Sequence, residues 1–271
     1  MDPKSLYIKP VGIVHTGVSD PRQMPLQGVP GSIEFLEEFE NALLGIERNT
    51  HLCIFSWFHE ADRNVLRSSP VKINPGGEVL GVFTLRTANR PNPVAFTVAR
   101  ISRVEGRTVF FDRLDMIDGT PVLDIKPYSA GWDSVFSARD HHSAMIPARM
   151  GQSEGIAQFI REASNYHGEC CRGCMIAASA CYDAMKELDC SIRDVRVEAP
   201  GSLDGCILDA VIGITKATPG TRRLMLKDSG SLVLKNGAKA VEISFHDSHT
   251  ACTDAVCSNV DSLYSINVLN V

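Results

Sequence analysis

Through the first 150 residues, apolar and polar positions alternate in short runs rich in valine, isoleucine, phenylalanine and threonine. Val11–His15, His51–Phe58, Val79–Leu85, Val94–Ile101 and Thr108–Leu114 read as strands on this ground. Asn74-Pro75-Gly76-Gly77 and Glu105-Gly106 supply turn chemistry between them. One segment departs from the pattern: Ile33–Leu44 is predicted to be a short acidic helix, stopped by Gly45. Several short strands with a single helix point to a closed or strongly curved antiparallel sheet, not to alternating βαβ units.

The period changes in the second half. Ile156, Phe159, Ile160 and Ala163 form a helical stripe within Ser153–Asn165, with Ser153 as the expected N-cap. Met175–Leu188 and Leu208–Thr215 are two further predicted helices, and Val195–Glu198 is a strand. Arg223–Lys227, Ser231–Leu234 and Ala240–Phe245 are expected to form a meander turned at Asp228-Ser229-Gly230 and Asn236-Gly237. Leu263–Leu269 would add an edge strand. The fold class expected is an all-β barrel followed by an α+β domain. Between them, Ala138–Gln152 has no period and carries Pro147, so a boundary is expected near 145–152, giving domains 1–148 and 152–271.

Composition sharpens this division. Of nine cysteines, only Cys53 precedes residue 151. The first 150 residues hold 12 arginines against 4 lysines, which favours planar recognition of carboxylates, phosphates and stacked bases. The whole chain carries 27 basic and 32 acidic residues, net −5, so bulk charge gives no attraction to nucleic acid or anionic lipid. No apolar run is long enough to span a membrane, and a polar Met1-Asp2-Pro3-Lys4 start gives no secretory signal; a cytoplasmic protein is expected. Neither G-x-G-x-x-G nor a P-loop occurs, which excludes an ordinary Rossmann nucleotide site.

Two runs concentrate polar groups. In Gly81–Pro93, a strand leads to Arg86 and Arg90, and Pro91 and Pro93 then restrict the backbone on either side of Asn92. A stiff segment of this kind presents its side chains at little entropic cost. Taken alone, the segment is better read as a proline-bracketed surface turn with solvated arginines. The second run, Asp112–Tyr128, holds four aspartates, Lys126 and Tyr128. Alternation within it would put Asp124, Lys126 and Tyr128 on one strand face, as a base and orienting group or as a solvated ion pair.

The ordered set Val11-Gly-Ile-Val-His-Thr16, Pro25-Leu-Gln27-Gly28, Phe58-His59, Gly81-Val-Phe83, Arg86–Pro93 and Asp118-Gly-Thr-Pro-Val-Leu-Asp-Ile-Lys-Pro-Tyr128 resembles the TsaA-like or TrmO family of tRNA methyltransferases over roughly residues 8–140. The resemblance implies a non-Rossmann β-barrel, a homodimer, and S-adenosylmethionine bound near the subunit interface. It also implies a tRNA substrate, methylated on N6 of threonylcarbamoyladenosine beside the anticodon. Carried over by motif, cofactor contacts are expected from Pro25, Leu26, Gln27, Phe58, His59, Arg86, Arg90, Asn92, Asp112, Arg113, Leu114 and Asp115. Asp118, Asp124, Lys126 and Tyr128 are the candidates for substrate positioning and proton removal. The two runs are expected to converge on one cavity. Two features depart from the family's pattern: Thr87-Ala-Asn89 follows Arg86, and Ala95-Phe96 stands where glycine is common.

In the second half, Cys170, Cys171 and Cys174 lie just before a predicted helix, where dipole and amide groups favour thiolate. His167-Gly168, Cys171-Arg-Gly173, Cys206-Ile-Leu-Asp209-Ala210 and Thr218-Pro-Gly220 resemble the FmdE-like domain over roughly residues 153–245, with Glu169 and Arg172 replacing a histidine and a proline of its signature. The resemblance implies that His167, Cys171 and Cys206 approach one another around a metal, zinc or iron, or around a reactive thiol; a degenerate domain kept for dimerisation is the bland alternative. His246–Cys257 and His141-His142 are weaker clusters. Three functions follow: a tRNA methyltransferase, a methyltransferase of the same fold acting on a small molecule, thiol or metal-cofactor ligand, and a metal-binding or delivery protein with a cofactor-sensing barrel.

Overall fold

The computed structural model describes residues 7–69, 78–136, 138, 151–228, 230–246 and 262–270, which form two compact units, one ending at residue 136 and one beginning at Ala138. The Asn74–Gly77 turn, the boundary segment up to Met150 with His141-His142, Ser229, and the segment holding His249, Cys252 and Cys257 lie outside the described residues.

The first unit contains β1 (Gly12–His15), β2 (Val29–Phe35), β3 (His51–Trp57), β4 (Arg67–Ser68), β5 (Leu80–Gly81), β6 (Val94–Glu105), β7 (Thr108–Leu114), β8 (Pro121–Pro127) and a one-turn helix α1 (Ala130–Asp133). Six strands close into an antiparallel barrel in the order β1-β2-β7-β6-β3-β8, and β4 and β5 pair as a separate ribbon. The expected all-β barrel is therefore present. Its interior is filled: Val14, Ile33, Ile54, Val109, Leu114 and Val122 are fully buried. Leu43 and Ile46 pack into this core from the 3₁₀ turns between β2 and β3, and Met116 packs into it just beyond β7.

Two expectations fail here for one reason. The helix over Ile33–Leu44 is replaced by the end of β2 and a 3₁₀ segment, Glu37–Leu43. Ile33 and Phe35, spaced by two, fill the barrel, and their strand is needed to join β1 to β7. Conversely, Val79–Leu85 is strand only at Leu80–Gly81 and then turns as a 3₁₀ helix, since it does not join the barrel. Tertiary closure outweighs local propensity in both places.

Two bulges change which side chains face inward. On β7, Val29 pairs with Leu114 but Gly31 pairs with Phe111, so Phe111 and Leu114 both enter the core. On β8, Ser56 pairs with Val122 but Phe55 pairs with Asp124. Val122 is buried and Ile125 packs on the core, which leaves Asp124 and Lys126 outside.

The second unit contains α2 (Gln152–His167), α3 (Arg172–Leu188), β9 (Arg196–Pro200), α4 (Gly205–Thr215), β10 (Leu224–Lys227), β11 (Leu232–Asn236), β12 (Lys239–Phe245) and β13 (Tyr264–Asn270). The sheet order is β10-β9-β11-β12-β13. The meander expected through residues 223–245 is only half right. The β11–β12 hairpin turns at Asn236-Gly237, but β10 pairs in parallel with β9, with α4 as the crossover such a pair requires. Gly151, not Ser153, is the N-cap of α2. Small residues let α3 sit deep in the core: Ala177, Ala178, Ala180, Cys181 and Ala184 are fully buried.

Gly28 ties the first loop to the barrel. Its φ is +77°, and a Cβ there would stand 2.6 Å from the Leu114 carbonyl oxygen. Gly119 has the same sign, φ +78°, with nothing within 4 Å of a Cβ. Gly28→Ala is expected to lower barrel stability by about 2–4 kcal/mol, from left-handed strain plus overpacking, and Gly119→Ala by only about 1–2 kcal/mol. Denaturant unfolding of the two variants checks this; equal losses would mean that the crowding at Gly28 relaxes freely.

Candidate functional site

The loops that leave β1, β3 and β7 and those that enter β2, β6 and β8 share one rim of the barrel, and four of the predicted blocks meet there. Gly28 closes a turn by donating its N–H to the Pro25 carbonyl and lies against Leu114–Asp115. Thr97 Oγ1 donates to Asp115 Oδ1 at 2.5 Å, joining β6 to the segment after β7. Phe58 N–H donates to the Pro93 carbonyl at 2.9 Å, Asp62 N–H to Asn89 Oδ1 at 3.0 Å, and Arg63 Nε to the Pro91 carbonyl at 2.9 Å. The Phe58-His59 and Arg86–Pro93 blocks are thereby laced together. Phe58 packs on the core, while His59 and Asn92 are exposed.

From this rim a row of rings and cations crosses the outer wall. Arg86 Nη2 donates to the Phe96 carbonyl at 3.0 Å, and its guanidinium lies 5.8 Å from the Phe96 ring centroid. Phe96 and Phe55 are 5.3 Å apart, and Lys126 Nζ lies 5.9 Å from the Phe55 ring. Asp124 is directly opposite Phe55 on β8. The two polar runs therefore meet on an open outer face of β6, β3 and β8. The single cavity expected for them is replaced, among the described residues, by this open face, because side chains fill the barrel.

Other predicted residues do different work. The β7 bulge splits Asp112–Asp115. Asp112 faces out and pairs with Arg100 at 3.7 Å, beside an open groove of about 520 Å³ that it lines with His15, Arg103 and Phe110. Leu114 is a core residue, half-buried Arg113 follows Asp112 on the bulged strand, and the Asp115 side chain is tied to the rim by Thr97. Arg90 turns back on its own loop and donates to the carbonyls of Val82 and Leu85, acting as a clamp. Leu26 is half-buried and Pro25 exposed in the first loop. Tyr128 donates its N–H to the His51 carbonyl at the far end of β8, four residues or roughly 13 Å beyond Asp124. Asp118 accepts the Thr16 and Gly17 N–H groups at 2.9 and 3.2 Å, and those two donors hold its carboxyl below the usual range. Phe55, Phe96 and Thr97 went unnamed as site residues; the legible signal was a phenylalanine at an outward position of an alternating strand.

The second unit brings three helix ends together. His167 ends α2, Cys171 is the N-cap of α3, and Cys206 lies in the first turn of α4, which Asp204 caps. His167, Cys171 and Cys174 offer ligand atoms all within 4.8 Å of one another. The Cys171 and Cys174 sulfurs are 3.7 Å apart, and Cys206 is hydrogen-bonded to Cys171. His167 Nδ1 is 3.1 Å from Asp209 Oδ2, and that bond raises the imidazole pKa. Burial pushes the Cys171 thiol up, but the Cys174 N–H, the Cys174 and Cys206 thiols and His167 together bring it below the ordinary value. Burial drives Cys174 to about 12. The expected set His167, Cys171 and Cys206 thus gains Cys174, for which the C-x-x-C spacing at a helix start was the available signal.

Asp118 gives a pH test. A lowered carboxyl pKa contributes stability above the unfolded value of about 3.9, lost as pH falls through the folded value. Its side chain is 44% exposed, so the effect is screened. Asp118→Asn is expected to lower the barrel's melting temperature at neutral pH, and the gap to the unmodified protein should close as the solution is acidified. A gap constant with pH would remove the ionic contribution.

Comparison with known proteins follows the same division. The family model for the tRNA-methyltransferase O N-terminal domain matches residues 13–134, and that for FmdE, named from a molybdenum formylmethanofuran dehydrogenase operon, matches 166–261. A probable S-adenosyl-L-methionine-binding protein of Archaeoglobus fulgidus is 29% identical over 84% of this chain and 63% of its own length. An S-adenosyl-L-methionine-binding protein of the same organism is 36% identical over 48% of the chain and 94% of its own length. The tRNA (adenine(37)-N6)-methyltransferase of Mus musculus is 39% identical over 41% of the chain, which spans 26% of the mouse protein. With its barrel matching nearly the whole of one such relative, the chain belongs to the TrmO family and carries an FmdE domain as its second unit.

Proposed function

We propose that the barrel binds S-adenosylmethionine at its rim and methylates N6 of an adenosine in tRNA, the threonylcarbamoyl derivative beside the anticodon. The observation that supports this reading is that the loops bearing Gln27 and Phe58-His59, the Asp115 carboxylate and Arg86 are fastened to one end of the barrel through Gly28, Phe58, Thr97 and the Phe96 carbonyl. Their chemistry fits a sulfonium nucleoside. Gln27 Nε2 is buried without a hydrogen-bond partner among the described residues, a donor that suits a ligand acceptor. The Asp115 carboxylate and the exposed Phe96 ring suit a cation. When bound, the cofactor supplies an electrophilic methyl group. Arg86, held by the Phe96 carbonyl, is a fixed positive charge for an anionic group. Lys126 over Phe55 orients the acceptor, and Asp124 takes the N6 proton, its carboxylate directed by the Ile125 N–H at 2.9 Å. Asp118 and Arg90 hold loops, and Tyr128 lies too far along β8 to join them.

A homodimer in the cytoplasm completes the proposal. Exposed Leu66, Val79 and Phe83 around the β4–β5 ribbon suit coverage by a second copy. No helix among the described residues is long and apolar enough to cross a membrane. For the second unit we propose a zinc or iron ion on His167, Cys171 and Cys174 with Cys206 alongside; Asp209 would orient the imidazole, as partners of metal-binding histidines do. A small-molecule acceptor is the second reading, favoured by the net charge of −5.

Calorimetry is expected to show S-adenosylmethionine binding that weakens about 10–100-fold in Arg86→Ala and in Asp115→Asn, the size expected for a hydrogen bond to a charged group. Labelled methyl donor should mark bulk tRNA with the unmodified chain and not with Arg86→Ala. Binding without labelled tRNA, but with a labelled small molecule, would transfer the proposal to the second reading. Elemental analysis should find metal in the purified chain and lose it in Cys171→Ser; identical content in both would remove the metal.

A further inference from the structure

A second chemistry resides in the same helix ends and does not depend on a bound ion. Cys171 and Cys174 stand at the N-cap and third position of α3 in the sequence Cys-Arg-Gly-Cys. An N-cap side chain folds back over the first turn, so its sulfur meets the side chain three residues on. Here the Cys174 N–H donates to Cys171 Sγ at 3.5 Å, and the two sulfurs are 3.7 Å apart. A disulfide needs about 2.05 Å, a closure of under roughly 2 Å that side-chain rotation supplies within one turn. Gly173 keeps the site open: a Cβ there would stand 2.7 Å from Cys206 Cβ and 3.6 Å from Cys171 Sγ. The pair is also asymmetric. Within the pair Cys171 retains 6% of its surface and Cys174 none, so a reagent reaches Cys171 before Cys174; the neighbouring Cys170 is exposed.

We propose that Cys171 and Cys174 form a reversible dithiol–disulfide couple that exchanges with low-molecular-weight disulfides. Cys171 Sγ attacks one sulfur of the external disulfide, its S–S bond breaks, and one thiolate leaves, taking up a proton. Cys174 Sγ then attacks the mixed disulfide at Cys171, the second external thiolate leaves, and the Cys174 proton passes to it. The protein dithiol is oxidised by two electrons and the external disulfide is reduced to two thiols. Excess external thiol reverses both steps. Burial raises the thiols of Cys53, Cys181 and Cys190, which slows their attack on an external disulfide, and Cys181 is fully buried.

The test uses the reduced, chelator-treated full chain, equilibrated with rising ratios of oxidised to reduced glutathione, quenched with acid, then denatured, alkylated and mapped by mass spectrometry. A Cys171–Cys174 link should rise to near completion and reverse with excess reduced glutathione. Cys174→Ser should hold glutathione on Cys171, and Cys171→Ser should leave Cys174 alkylatable. Circular dichroism checks that each sample is folded. If the folded, unmodified chain keeps both thiols alkylatable at every ratio, or links Cys171 to Cys206 instead, the proposal is overturned.

Discussion

A six-stranded barrel is too narrow to hold both a hydrophobic core and a ligand. Here the core takes the space: Leu52, Ile54, Val109, Phe111, Leu114 and Val122 fill the interior, and Met116 packs in beside them. Every polar group that acts on another molecule must therefore stand on the rim or the outer wall. Since strand side chains alternate faces, a residue reaches the outside only if the register allows it. The two bulges decide that register. The one on β8 takes Asp124 and Lys126 out of phase with Val122, and the one on β7 sends Leu114 inward and leaves Asp115 at the edge.

The second unit meets the same problem differently. Its chemistry is not on a strand but where the end of α2 and the starts of α3 and α4 converge. Close helix packing produces that meeting. A Cβ on Gly213 of α4 would stand 2.8 Å from Tyr166 Cβ on α2, and this tight approach brings Asp209 to His167. Gly173 does the same between α3 and α4, setting Cys206 against Cys171. Amide groups at the start of α3 then place positive potential at the Cys171 sulfur, which favours its thiolate whether its fate is a metal bond or a disulfide.

The two units use charge in opposite ways. On the barrel, cations are paired with rings: Arg86 with Phe96 and Lys126 with Phe55 on the face of β6, β3 and β8, Arg63 with Trp57, and Arg103 with Phe110 in the separate groove beside Asp112. Such a surface offers flat apolar area and positive charge together. In the second unit the reactive groups are largely withdrawn from solvent, where small changes in hydrogen bonding alter thiol chemistry strongly.

The sequence by itself determined the barrel-then-α+β order, most strands, the family motifs and the reactive residue types. Period-two patterning, turn residues and spaced motifs are local properties of a chain. It misread Ile33–Leu44 because Ile33 and Phe35 suit a helix or a strand equally until β1 and β7 are beside them. It grouped Asp112 with Asp115 and Asp124 with Tyr128 because neither a bulge nor the distance along a strand is visible in residue types. It placed Cys206 with His167 and Cys171 but left out Cys174, although the C-x-x-C spacing was there to read. Which face each side chain occupies, and which distant side chains it meets, was decided only in three dimensions, because register and helix approach are set by the whole packed core rather than by any one segment.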